Sequence, residues 1–233
     1  MSTIAENIAK VRERIREAAQ ALQRDPAAVG LLAVSKTKPA QAIREAHAAG
    51  QIDFGENYLQ EALSKQAELT DLPLIWHFIG PIQSNKTRQI AEHFDWVHSV
   101  DRLKIAQRLS EQRPEHLPPL NICLQVNVSS EASKSGCTPE ELPALAQAVT
   151  QLPRLRLRGL MTIPEPSDDP QAQREPLARL RRLRDALPGN LDTLSMGMSQ
   201  DLEAAVAEGA TWVRIGTALF GARDYSQPDR PIH

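Results

Sequence analysis

Residues 31 to 38 read LLAVSKTK, an apolar run leading into Lys36. An unpaired ammonium is costly to bury and tends to lose its proton where it is partly desolvated. The neutral amine is the nucleophile that forms Schiff bases with aldehydes. A lysine in this setting ordinarily snorkels, with its stem on apolar surface and its head in water. Here the chain has seven lysines against twenty arginines, so a lysine kept at this spot is poor filler where arginine would serve. Arginine holds its proton and lysine can release it. Lys38, two residues on, adds a like charge that favours the neutral form of Lys36.

An aldehyde cofactor directs attention to a phosphate cradle, and two later stretches carry suitable chemistry. SMGMSQDLEAA (195–205) has Gly197, which frees the backbone, and Ser199, placed to cap a helix whose N–H groups face outward. WVRIGTALFG (212–221) has Arg214, Gly216 and Thr217 where a second set of donors is needed. Either stretch alone reads as a turn and a cap; the pair together carries more weight.

These residues need a frame that brings them together. Short apolar runs rich in β-formers lie at 31–35, 52–54, 75–79, 96–100, 121–128, 157–163, 191–196 and 212–219. Helical patterns alternate with them at 40–49, 57–69, 85–92, 102–112, 139–151, 171–186 and 201–208, with Pro39, Asp101, Thr138–Pro139 and Ser199 as helix openers. Eight strand–helix units predict an α/β chain closed into a single (β/α)8 TIM-type barrel over about 31–221. A doubly wound open sheet is the alternative, but KTKPA rather than GxGxxG follows the first strand. Ahead of the barrel, Ile4, Ile8, Val11, Ile15, Ala19 and Leu22 predict an extra N-terminal helix over about 3–23, opened by a Thr3–Glu6 capping box and standing in for the helix missing after strand eight. A short tail ends the single domain of 233 residues. Barrel sites lie at the C-terminal strand ends, which puts Lys36 at the mouth and the two glycine-bearing stretches after strands seven and eight, a frequent phosphate corner.

Composition narrows the function further. A formal charge of −2 leaves no basic footprint for nucleic acid, and RLRLR (154–158) and RLRRLR (179–184) interleave arginine with leucine as solvated faces do. The charged N-terminus has neither a signal-peptide core nor a membrane-spanning run, which predicts a cytoplasmic protein with no membrane partner. Cys123 and Cys137 are too few for a disulfide framework, and the six histidines form no metal-ligand array. His77, between Trp76 and Phe78, is expected as a hydrogen-bonded core residue. Ser84, Asn85 and Lys86 read as a helix start or as a contact surface for a recipient of the cofactor, and Met161, Met196 and Met198 as packing near a ring or as core filling. A lone barrel with a mixed polar outer face predicts a monomer.

AVSKTKP (33–39), FGENYLQEA (54–62), WHFIGPIQSNK (76–86), GLMTI (159–163), SMGMSQD (195–201) and VRIGTALFGARDY (213–225) together resemble the pyridoxal phosphate homeostasis protein family over about residues 5–226. The resemblance implies a barrel like the N-terminal domain of alanine racemase, with pyridoxal 5′-phosphate (PLP) on Lys36 as a Schiff base. It further implies that Ser199, Gly216 and Thr217 hold the phosphate, Arg214 faces the pyridine nitrogen and Asn57 lines the pocket. Family members are understood to supply or buffer the cofactor, with PLP-dependent apo-enzymes as possible recipients, and no catalytic residue is assigned.

Residue chemistry agrees with weak turnover. An aspartate beside the ring nitrogen would hold a proton there and make the ring a strong electron sink, whereas guanidinium only donates and needs that nitrogen unprotonated. Racemisation also needs a second base across the ring. Only Tyr58 and Tyr225 exist, and Tyr225 reads as packing in the tail. A PLP racemase or decarboxylase of the same fold, and an aldolase using a bare lysine on a sugar phosphate, are the competing readings.

Overall fold

The computed structural model describes residues 1–129 and 135–222. Eight parallel strands, β1 (Gly30–Val34), β2 (Asp53–Glu56), β3 (Ile75–Phe78), β4 (Trp96–Val100), β5 (Leu120–Gln125), β6 (Leu155–Met161), β7 (Thr193–Ser195) and β8 (Trp212–Ile215), close in sequence order into a barrel. The closing pair sets Ala33 of β1 opposite Ile215 of β8. Helices α2 (Ala40–Ala48), α3 (Leu59–Glu68), α4 (Thr87–His93), α5 (Leu103–Gln112), α6 (Leu142–Thr150), α7 (Pro170–Ala186) and α8 (Leu202–Ala207) follow the first seven strands. This is the (β/α)8 architecture that the alternation predicts.

The N-terminal helix α1 (Ile4–Gln20) is amphipathic and opens on the expected capping box, with Thr3 and Glu6 each bonding the other's backbone N–H. Ile8, Val11, Ile15 and Ala19 are buried, whereas the helix ends before Leu22, which is half exposed. After β8 only a four-residue helix follows, α9 (Thr217–Phe220), and α1 packs against α8, α9 and α2 to cover the gap. The Asn7 side chain ties α1 to α9 through the Leu219 carbonyl at 2.9 Å.

Several boundaries differ from the sequence expectation for local reasons. Strand eight stops at Ile215 rather than 219 because Gly216 (φ −117°, ψ −76°) turns the chain into α9. Strand two runs to Glu56, so Gly55 and Glu56 are part of the sheet. Pro39 sits at the cap of α2, and Thr138 exchanges hydrogen bonds with Glu141 just ahead of α6. Asp101 and Ser199 do not open helices: Arg102 and Asp201 occupy those cap positions, and neither makes a side-chain cap bond. Ser84–Lys86 is a single tight turn before α4, its Ser84 carbonyl bonded by Arg108 and Thr87, as a helix start should be.

The described residues form two apolar clusters. The larger lies between sheet and helices and includes Met196, which is therefore core filling. The smaller, Trp96, Cys123 and Met161 with Ile75 and Trp212, fills the barrel itself, since β4 and β8 are not neighbours yet the Trp96 and Trp212 ring centroids lie 5.9 Å apart. Met198 packs in neither cluster and is 46% exposed. Both cysteines are free and buried, and burial pushes each thiol up to about 12.

Candidate cofactor-binding site

Lys36 lies half-buried in the turn that follows β1, at the C-terminal mouth of the barrel. Its neighbours on both sides are clamped. The Ser35 hydroxyl donates to Glu56 Oε1 and the Ser35 carbonyl accepts from Lys65 Nζ, each at 2.7 Å. Lys65 Nζ also meets Glu56 Oε1 at 2.7 Å and Glu61 Oε1 at 2.8 Å, and Glu61 Oε1 accepts the Thr37 N–H at 2.6 Å. Thr37 adopts φ +64°, a left-handed conformation costly for a β-branched residue, which these bonds stabilise. Fixing the residues before and after Lys36 fixes where its side chain leaves the backbone.

The Lys65 clamp is absent from the sequence reading, although a signal for it exists. Leu59, Ala62 and Lys65 are the buried residues of α3, so the lysine falls on the apolar stripe and forms an i,i+4 pair with Glu61. Burial pushes the Glu56 carboxyl up, with Lys65 and Ser35 opposing that shift. Lys38, expected to bear on Lys36, instead directs its amine to the Ala222 carbonyl at 2.9 Å.

The stretch after β8 lies beside Lys36 rather than facing it, because β8 is hydrogen-bonded directly to β1, and the stretch after β7 lies one strand further on. A Cβ at Gly216 would sit 3.3 Å from the Val34 carbonyl, so the backbone before α9 packs on the end of the lysine strand. Gly197 has φ +102°, and a Cβ there would come within 2.5 Å of that of Ala205; its carbonyl accepts the Arg214 N–H at 2.9 Å. Ser199 is half-buried in the loop after β7, with its carbonyl held by Arg14 Nη2 of α1 at 2.7 Å. Thr217 is exposed as the first residue of α9. The loop after β7 thus meets β8 at Arg214, and the turn after β8 packs on the end of the lysine strand.

Arg214 is 4% exposed and points into the barrel, where Nη1 donates to Ser195 Oγ and Nη2 to the Thr162 carbonyl, both at 2.8 Å. Burial lowers it to about 10, with the charge of Asp201 opposing, so it remains a cation at neutral pH. The Asn57 amide oxygen, at the end of β2, is buried without a hydrogen-bond partner among the described residues. His77 is the hydrogen-bonded core histidine expected, paired with Asp53 and His98 at 2.9 Å each. Tyr58 is 46% exposed at the start of α3, and Tyr225 lies outside the described residues, as does the end of the VRIGTALFGARDY stretch. No group of side chains suited to a metal ion occurs among the described residues.

An amine at the end of β1, a donor-only guanidinium, two close-packed glycine turns and an orphaned amide form a set that fits a phosphorylated pyridine aldehyde. Residues 4–224 match the family model for the alanine racemase N-terminal domain, which defines the class as the barrel of that domain. Within that class the chain belongs to the pyridoxal phosphate homeostasis protein family. It is 80% identical over 228 residues to the Pseudomonas aeruginosa protein of that name, spanning 98% of this chain and 99% of that one. The Escherichia coli K12 protein is 56% identical over 234 residues, covering 97% and 100%. PipY of Synechococcus elongatus, solved with PLP bound, superposes with a TM-score of 0.81 at 44% identity, covering 94% of this chain and 100% of that one.

Proposed function

We propose that this protein holds PLP as a Schiff base on Lys36 and takes part in intracellular PLP homeostasis and delivery, without efficient turnover. The observation that carries this reading is Arg214, a buried cation beside the glycine turns where a strong electron sink would call for an acid. Bound PLP supplies an aldehyde carbon and an electron-withdrawing ring. In this reading Lys36 takes the aldehyde, Ser199, Gly216 and Thr217 take the phosphate, Asn57 lines the pocket, and Arg214 donates to the ring nitrogen. Because guanidinium has no acceptor to offer, that nitrogen stays unprotonated and the ring draws electrons weakly. The names of the relatives and the PLP bound to PipY support the assignment. PLP-dependent apo-enzymes are the recipients this role implies, and the protein acts in the cytoplasm as a monomer.

The test is borohydride reduction after incubation with PLP, followed by peptide mapping. The label is expected on the peptide containing Lys36, and Lys36→Ala is expected to lose the visible band. Label on another lysine, such as Lys38 or the Lys65 of the clamp, would overturn the attachment. An α-proton exchange assay on amino acids separates the carrier from a racemase of the same fold: turnover at an enzyme's rate would replace the carrier reading.

A further inference from the structure

The interior of a (β/α)8 barrel is ordinarily filled with branched apolar side chains. Here a line of polar groups crosses it. Asp53 Oδ1 lies 2.9 Å from His77 Nε2, His77 Nδ1 lies 2.9 Å from His98 Nε2, and His98 Nδ1 lies 2.7 Å from Ser195 Oγ. Ser195 Oγ in turn accepts from Arg214 Nη1 at 2.8 Å. The line begins at the first residue of β2, at the N-terminal end of the barrel, and ends beside the C-terminal mouth. Asp53 borders a cavity at that far end with Gln51, Arg12 and Trp212, and its side chain is 17% exposed; the side chains of both histidines are fully enclosed.

The two ends give the line a direction. Guanidinium only donates, and carboxylate only accepts. If Asp53 accepts from His77 Nε2–H, then neutral His77 offers its bare Nδ1 to His98 Nε2–H, and His98 offers its bare Nδ1 to the Ser195 hydroxyl. Ser195 is then left with a lone pair for Arg214. Every ring nitrogen is satisfied once, both histidines are uncharged, and no donor meets a donor. Burial holds both rings below the usual histidine range; Asp53 and Asp95 oppose this for His77, and His77 and Arg214 reinforce it for His98. Trp96 stacks on His77 at 5.4 Å and Trp212 meets its edge at 5.0 Å, leaving little freedom to turn.

We infer that Asp53, His77, His98 and Ser195 act as positioning residues, a one-way hydrogen-bonded chain that orients the Arg214 guanidinium and pairs its buried charge with a carboxylate at the opposite end of the barrel. The inference rests on the reading that Arg214 faces the ring nitrogen of PLP. On that reading, the chain maintains Arg214 as a fixed donor, and the retention of the cofactor depends on a carboxylate that never touches it. Satisfied networks of this kind gain from mutual polarisation, and a broken member leaves a buried group unpaired.

Nitrogen-15 NMR of histidine-labelled protein without PLP reads the chain directly. Both rings are expected as the neutral Nε2–H form at neutral pH; a charged ring or an Nδ1–H ring would overturn the inference. Asp53→Asn keeps the shape but lets the side chain donate as well as accept. It is expected to populate the second tautomer at both rings and to speed PLP dissociation roughly three- to tenfold. Asp192→Asn is the control, since Asp192 precedes β7 at the same end but pairs with Arg158 outside the chain, and it should change neither readout. Unaltered tautomers or unaltered PLP release in Asp53→Asn would sink the chain while leaving the cofactor reading intact. If the unmodified protein retains no PLP, the cofactor reading falls, and the role assigned to the chain falls with it.

Discussion

At the scale of single residues, the proposed site joins one amine to one guanidinium. Lys36 can lose its proton and attack an aldehyde, whereas Arg214 stays charged and can only donate. The division of labour follows from side-chain chemistry, and the structure adds its setting. Arg214 spends two donors on Ser195 and Thr162 inside the barrel, so its position is set from behind. Arg214→Ala removes a charged donor and leaves Ser195 and the Thr162 carbonyl short of a partner. PLP should leave the variant about tenfold or more faster than the unmodified protein on dialysis, in keeping with the loss of a hydrogen bond to a charged group. Retention equal to the unmodified protein would place the ring nitrogen elsewhere.

Elements decide how firmly the amine is aimed. The turn after β1 has no strand geometry of its own and is held by Lys65 and Glu61 of α3 and by Glu56 at the end of β2. Its buried pair is only 7% and 0% exposed by side chain. Breaking such a pair on one side strands the other group, so Lys65→Met should destabilise the fold by about 3–5 kcal/mol, measured by urea unfolding. A Lys65→Met/Glu56→Leu double variant, which removes both members, should recover much of that loss. If the double variant is as unstable as the single one, the cost lies in packing and not in the orphaned carboxyl. The boundary between β8 and α9 belongs to this scale too. The apolar spacing of WVRIGTALF suits a long strand, and only the turn at Gly216 ends it at Ile215 and brings Thr217 to a helix start.

For the whole molecule, the consequence of the polar interior is a dependence on pH. The folded chain keeps His77 and His98 neutral below the pH at which an unfolded chain protonates them, about 6.5. The unfolded state therefore binds more protons in that window, and stability falls as pH drops from about 6.5 toward the lowered folded values. Each histidine contributes a slope of at most about 1.4 kcal/mol per pH unit. Unfolding curves between about pH 7.5 and 5 should show this decline, and a His77→Gln/His98→Gln variant, though less stable throughout, should show a shallower one. A decline of equal steepness in both proteins would mean that other groups carry it.

The sequence by itself determined the barrel and its N-terminal helix, and it supplied the two ends of the proposed site. Alternating strand and helix periods, a capping box and an apolar run closed by Lys36 are local signals, read within a few residues of one another. What Arg214, Ser195, His98, His77 and Asp53 do together was decided only by the tertiary structure. They come from β8, β7, β4, β3 and β2, and no spacing along the chain records which side chains meet inside a closed sheet. The same holds for Lys65, whose apolar-stripe position hints at burial but whose three acceptors come from two other segments and one helical neighbour. Period tells which face a residue occupies; closure of the barrel tells what it finds there.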